Sequence, residues 1–260
     1  MIEDTTLKYL LSYKNKQNVQ TMTQKGHKHP LTQMIAEINS IFAEIGFVFA
    51  EGPEAETEVY NFDRLNVPKD HPARDMQDTF WFRNDDVTEP MVLRTHTSPV
   101  QARFMESHEP PVRVIVPGKV FRNEATDATH EAQFMQLEGL YVDEGVHMGH
   151  LKGTIEYFFS KFFGGETEVR FRPSFFPFVE PGVEVDMMLK GSDSKLANKW
   201  IEVMGAGMVH PEVLKGSGID PEVYSGFAFG MGIDRLAVMK YGINDVRDLY
   251  TGDLRFVNQF

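Results

Sequence analysis

There is no cysteine among the 260 residues, so disulfides, thiolate zinc sites and thiol nucleophiles are all excluded. Long apolar runs are missing too. The longest, such as residues 45–50, fall far short of the ~18 residues that a membrane span needs. At the N-terminus no apolar stretch with a small-residue cleavage site marks a secretory signal. Basic residues are in deficit, 26 Lys+Arg against 38 Asp+Glu for a formal net charge of −12. That balance argues against a free-standing nucleic-acid binder, because phosphate contacts need clustered Lys and Arg. Neither an internal repeat nor a low-complexity tract is present. A cytoplasmic enzyme or binding domain is the expectation, and any nucleic acid it meets needs a local basic patch or a basic partner.

What is plentiful is phenylalanine, with 21 residues inside an apolar content of 42%. Charge divides unevenly along the chain. The first thirty residues hold Lys8, Lys14, Lys16, Lys25 and Lys28 against Glu3 and Asp4, so the rest carries the acidic excess. Residues 14–29 are polar and poor in large apolar side chains, a composition that cannot offset its own ordering entropy. Residues 1–29 are therefore expected to be a basic polar tail or reduced arm, with a short helix over 7–13, and residues 30–260 a single domain.

After Pro30, apolar residues recur at Leu31, Met34, Ile35, Ile38, Ile41, Phe42 and Ile45. The spacing of three and four predicts one amphipathic helix ended by Gly46, followed by an apolar strand over 47–50 that stops at Gly52-Pro53. Further strands are predicted over 112–116, 119–124, 134–143, 168–172, 183–189 and 227–231, and helices over 149–163 and 233–241. Strands joined mainly by hairpins predict an α+β domain, a mainly antiparallel β-sheet flanked by helices.

Two of these strands carry polar residues on a shared face. Side chains alternate along a strand, so Arg122 and Glu124 point one way and Phe134, Gln136 and Glu138 share one direction on the next. Met135, Leu137 and Tyr141 then form the core side. Buried charges are costly unless paired or liganded, so such a face suits an active-site floor, and an ordinary solvated sheet face stays open beside it. The run Phe175-Phe176-Pro177-Phe178 places aromatics around a proline that cannot donate to a ladder, which suits an edge or bulge walling a pocket, or a core cluster. Glu180, Glu184 and Asp186 offer hard oxygen ligands of the kind Mg²⁺ uses, or an acidic edge. The segment from Gly230 to Arg235 ends a strand and opens a helix, where backbone N–H groups and a guanidinium can meet a polyphosphate. It lacks the third glycine of a dinucleotide fingerprint, and a Rossmann fold is rejected.

Together these pieces resemble the catalytic (alpha) subunits of bacterial-type phenylalanyl-tRNA synthetases, a branch of the class II aminoacyl-tRNA synthetases. The helix and strand ending in Gly52-Pro53-Glu54 are similar to motif 1. Val120-Phe121-Arg122-Asn123-Glu124 with its hairpin is similar to motif 2, and Gly230 to Arg235 to motif 3. Four further stretches carry the resemblance: His71-Pro72-Ala73-Arg74-Asp75, Arg94-Thr95-His96-Thr97-Ser98-Pro99, Phe176-Pro177-Phe178, and Gly226-Phe227-Ala228-Phe229-Gly230-Met231-Gly232.

The resemblance implies activation of L-phenylalanine with ATP and Mg²⁺ and transfer to the terminal adenosine of tRNA-Phe. It assigns ATP to Arg122, Glu124, His130, Phe134 and Arg235, with Arg122 and Arg235 as the catalytic cations. It assigns phenylalanine to His96, Ser98, Gln136, Glu138, Phe176, Phe178 and Ala228, and Mg²⁺ to Glu180. It further implies a large (beta) subunit in an α2β2 assembly, with motif 1 at the interface. The members usually carry a much longer coiled-coil arm before motif 1, and Gln77 stands where some carry an aromatic. A paralogue that activates another amino acid, or a scaffold subunit without catalysis, are the alternatives.

Overall fold

A computed structural model describes residues 26–70, 74, 79–83, 89–190 and 198–260. The helix expected over 7–13, Gln77 and most of the 71–75 stretch lie outside them. In chain order the elements are α1 (Pro30–Glu44), β1 (Val48–Phe49), β2 (Ala55–Thr57), α2 (Glu58–Asn61), a 3-10 turn (Asp63–Leu65) and β3 (Met91–Leu93). Then come α3 (Ser98–Ser107), β4 (Val112–Phe121), β5 (Gln133–Glu144), α4 (Met148–Phe163), β6 (Thr167–Phe176), β7 (Val179–Leu189) and β8 (Ile201–Val209). The chain closes with α5 (Pro211–Gly216), β9 (Tyr224–Gly232), α6 (Ile233–Tyr241), a second 3-10 turn (Val246–Leu249) and α7 (Leu254–Val257).

The first helix forms where its spacing predicts. Pro30 opens it, the His29 ring accepts the Leu31 N–H at 3.2 Å, and Gly46 at φ +82° turns the chain out of it. Its apolar stripe of Leu31, Met34, Ile38, Ile41 and Phe42 is buried against α4 and one face of the sheet. There Phe42 stacks on Phe158 at 4.9 Å and on Phe229 at 5.6 Å, and Phe229 lies so close over Gly139 that any Cβ there would overlap its ring. Burying each such ring contributes about 1.5–3 kcal/mol.

A seven-stranded sheet carries everything, in the order β1-β4-β5-β9-β8-β7-β6. Only the short β1–β4 pair is parallel; the remaining pairs of this sheet are antiparallel. A separate two-stranded pair joins β2 to β3. Helices α1, α4 and α6 cover one face. On the other, α3 and α5 pack over Val112, Val114, Val116, Leu140 and Val142. Because both faces are covered, the parity read along β5 separates two buried environments, and the reading of its polar side as an ordinary solvated face is overturned: Glu138 is only 5% exposed.

Several boundaries differ from expectation, each for a local reason. The two strands expected over 112–116 and 119–124 are one, running straight through Pro117 and Gly118 and ending at Phe121. Arg122 and Glu124 therefore sit in the following loop and not on the strand. The strand β8 was not anticipated, since Gly205, Ala206 and Gly207 give it weak strand propensity. Helix α3 was missed behind the Ser98-Pro99 turn, although proline suits a first helical turn. Val48 and Phe49, expected as apolar strand, are 51% and 44% exposed at the sheet edge. No described helix is long and apolar enough to cross a membrane.

Candidate functional site

On the α3 side of the sheet lies a cavity of about 720 Å³. Its floor follows from register. Glu138 of β5 pairs with Gly230 of β9, which pairs with Gly205 of β8; in the next row Leu140 pairs with Ala228 and Ala228 with Gly207. Four small residues in two adjacent rows leave the space above them open. The hairpin between β6 and β7 folds over this floor, its ladder irregular between Ser174 and Phe176. A Cβ on Gly205 would stand 2.8 Å from Phe176 Cζ, and one on Gly207 would stand 2.8 Å from Val179 Cβ. The glycines thus let the hairpin descend, and Phe176 and Phe178, with centroids 6.1 Å apart, wall the cavity.

The opposite end is polar. His96 and Ser98 enter from the segment leading into α3, while Gln136 and Glu138 rise from β5. The Ser98 hydroxyl donates to Glu138, and burial pushes the Glu138 carboxyl up to about 7 despite that bond and despite Arg122 and Arg94 nearby. His96 goes the other way, its ring driven down to about 3 by burial and then by Arg122, so it is neutral. Four buried polar atoms in this region have no hydrogen-bond partner: His96 Nδ1, Thr97 Oγ1, Gln101 Nε2 and Gln136 Oε1. Unpaired buried polar groups each cost about 1–3 kcal/mol, and a polar ligand would recover that.

Arg122 stands at the rim of this end. Its Nε donates to the Thr95 carbonyl at 3.3 Å, and its guanidinium lies 5.1 Å from the Phe134 ring centroid, with Glu124 4.0 Å away. A guanidinium beside an aromatic face suits a flat heteroaromatic that carries anionic oxygens, the ring stacking on Phe134 and the oxygens meeting Arg122. Beyond it, the loop between β4 and β5 carries His130, whose backbone N–H donates to Asp127 Oδ1 at 2.8 Å. Arg235 projects from the first turn of α6, exposed and without a salt bridge among the described residues.

The structure therefore brings eight of the expected residues to one cavity: His96, Ser98, Arg122, Gln136, Glu138, Phe176, Phe178 and Ala228. Glu124, His130, Phe134 and Arg235 do not line it; they belong to the loop, strand start and helix start beside it. Glu180 is elsewhere. It alternates with Val179, which faces the cavity, and its carboxylate is 76% exposed with His210 Nε2 at 3.3 Å. Glu184 and Asp186 are engaged by Arg172, with Asp186 also held by Arg170 at 2.7 Å, so the acidic parity of β7 is an ion-pair network. Among the described residues no group of three or more His, Asp or Glu could hold a metal ion. Glu180 is thus a single hard donor, which fits Mg²⁺ only in the manner in which that ion keeps one or two carboxylates and takes its other ligands from phosphates and water.

Sequence reasoning missed Gln101, which lines the cavity three residues after Ser98. Positions three apart share a helix face, so recognising α3 would have found it. Leu65, Val67, Val209 and Val213 of the apolar wall carried no local signal.

Residues 14–260 match the family model described as tRNA synthetases class II core domain (F). A phenylalanine–tRNA ligase alpha subunit of Halalkalibacterium halodurans is 56% identical over 243 residues, spanning 91% of this chain and 69% of that protein. The similarly named proteins of Alkaliphilus oremlandii and Bacillus subtilis are 56% and 54% identical over 240 and 242 residues, each across 90% of this chain and 69% of theirs. Among solved structures, a pyrrolysyl-tRNA synthetase from Desulfitobacterium hafniense superposes with a TM-score of 0.66 over 95% of this chain and 82% of its own. At 18% identity that likeness shows a shared fold.

Proposed function

The chain belongs to the class II aminoacyl-tRNA synthetases, among the phenylalanine–tRNA ligase alpha subunits, and on that premise we propose how its residues perform the ligase reaction. L-phenylalanine enters with its ring packed edge-on against Phe176 and Phe178, with Ala228 at the end of the pocket. Its ammonium meets Glu138, Ser98 and Gln136, and its carboxylate meets His96 and Arg122. The observation that carries this reading is the cavity itself, apolar and aromatic at one end and lined with unpartnered buried polar atoms at the other.

A carboxylate that holds its proton to about pH 7 when alone ionises once an ammonium arrives, which couples occupancy to charge. Phe134 takes the adenine ring and Glu124 its amino group, with His130 and Arg235 on the outer phosphates. One oxygen of the amino-acid carboxylate attacks the α-phosphorus, the bond to the β-phosphate bridging oxygen breaks, and pyrophosphate leaves as phenylalanyl-adenylate forms. Arg122 then faces the charge that develops at the α-phosphate, so catalysis is positioning and electrostatics without a protein nucleophile. The ribose hydroxyl of the terminal adenosine of tRNA-Phe attacks the acyl carbon next and releases AMP. Glu180 is the one protein carboxylate offered to Mg²⁺, which when bound would supply charge screening at the ATP phosphates.

The assembly is α2β2 with a large (beta) subunit in the cytoplasm. The exposed Val48 and Phe49 on β1 support an interface there. The test is ATP–pyrophosphate exchange across the twenty amino acids, with the chain alone and with a large subunit from the same genome. A phenylalanine signal, abolished by Arg122→Ala in a folded protein, is expected. A signal for another amino acid refutes the substrate, and silence with ATP still bound refutes the enzyme.

A further inference from the structure

Beside the ATP residues, the turn that follows α6 touches the β4–β5 hairpin at two places. Strand β9 ends at Gly232, paired with Gln136, so Met135 stands one position beyond the last β5–β9 pair. Its N–H donates instead to Asp234 Oδ2 at 2.8 Å, and the carboxylate continues the ladder where the strand has become a helix. The other oxygen of Asp234 accepts from the Tyr250 hydroxyl, which closes the turn onto the start of α6. Sixteen residues separate Asp234 from Tyr250, and both are shielded: Asp234 is 6% exposed. At the loop itself the Val246 N–H donates to the Ala128 carbonyl at 3.0 Å. A third tie, from His29 Nε2 to the Leu249 carbonyl at 2.9 Å, fastens the same turn to the head of α1.

We propose that Asp234 and Tyr250 are positioning residues for ATP, fixing the start of β5, the loop before it and the first turn of α6 in one frame. The inference rests on the functional reading above for the identity of the ligand. Phe134 is bonded directly to Met135, and Arg235 directly to Asp234, so each residue assigned to the nucleotide neighbours one end of the same hydrogen-bonded unit. Successive helix residues point about 100° apart, so an inward Asp234 leaves Arg235 exposed on the outer side of the helix. His130 rides on the loop that Val246 holds. None of these contacts reaches the phenylalanine cavity, and that separation makes the role measurable.

The experiment uses the full chain assembled with its large subunit. In steady-state exchange, Tyr250→Phe is expected to raise the KM for ATP roughly three- to tenfold, the worth of one hydrogen bond, with the KM for phenylalanine within about twofold of wild type. Asp234→Ala is expected to raise it further. Asp234→Asn should fall between, because the amide oxygen still accepts from Met135 N–H. Hydrogen–deuterium exchange should quicken at the Met135 amide and over residues 125–133 in the order wild type, Asp234→Asn, Asp234→Ala. A rise in both KM values together, or unchanged amide exchange in Asp234→Ala, overturns the proposal. If the wild-type enzyme shows no phenylalanine-dependent exchange, the functional reading fails, while the amide comparison still decides whether the brace exists.

Discussion

Replacing Glu138 by glutamine should stabilise the empty protein at alkaline pH while removing its activity. Folding carries the Glu138 carboxyl from an ordinary 4.5 to about 7, chiefly through burial. Between those values the folded state holds a proton that the unfolded chain has released, so stability falls as pH rises through that window. At ~1.36 kcal/mol for each tenfold, the penalty is complete above pH 7 at about 3 kcal/mol. Glutamine cannot ionise, is isosteric, and its amide oxygen still accepts from Ser98. Its advantage over glutamate should therefore be small at pH 5, grow through pH 7 and level off near 3 kcal/mol at pH 8. For a chain of this size that is a melting-temperature gain of roughly 6–12 °C. Parallel urea or thermal unfolding of both proteins at pH 5 and pH 8, without ligand, measures it, and the same glutamine variant should lose phenylalanine-dependent pyrophosphate exchange. A stability difference that does not change between the two pH values would refute the buried, proton-holding carboxyl and with it the account of the ammonium subsite.

Two further predictions concern shape. Ala228→Gly removes the methyl that caps a floor otherwise made of glycines and should admit para-chlorophenylalanine in the exchange assay; unchanged selectivity would mean that Ala228 does not limit the ring. Gly205→Ala places a methyl 2.8 Å from Phe176 Cζ, so the ring must move into the cavity and the KM for phenylalanine should rise at least about tenfold with the KM for ATP unaffected. A crystal structure of that variant with Phe176 unmoved would remove the reason for the effect.

Legibility followed the physical range of each signal. The first helix was readable because seven apolar residues at helical spacing, a proline at the start and a glycine at the end all agree. On β5 the parity of Gln136 and Glu138 marked one face, yet parity alone could not say whether water or α3 covers it. That took Leu140 and Val142 of the same strand, which pack under α3. Strand β8 was unreadable because Gly205 and Gly207 serve the β6–β7 hairpin that lies on them, and a residue chosen for its neighbour carries little propensity of its own. Gln101 was lost with its helix. Glu180 shows the opposite failure: alternation placed it with Glu184 and Asp186, but the irregular register near Gly182 and the arginines of β6 decide what each carboxylate meets.

The β6 edge of the sheet has a consequence for how the molecule behaves in a crowded solution. An outermost strand offers unpaired N–H and C=O groups to any passing chain, and ten residues of open ladder would be a template for fibrils. On β6, Arg170 and Arg172 hold their charge at the surface, bound to Asp186, and Pro173, directly after them, has no backbone N–H to offer. Trp200 covers Arg170 at 4.4 Å, which keeps that guanidinium from folding away. The same ion pairs that took Asp186 out of contention as a metal ligand therefore keep one margin of a long, phenylalanine-rich sheet from recruiting copies of itself.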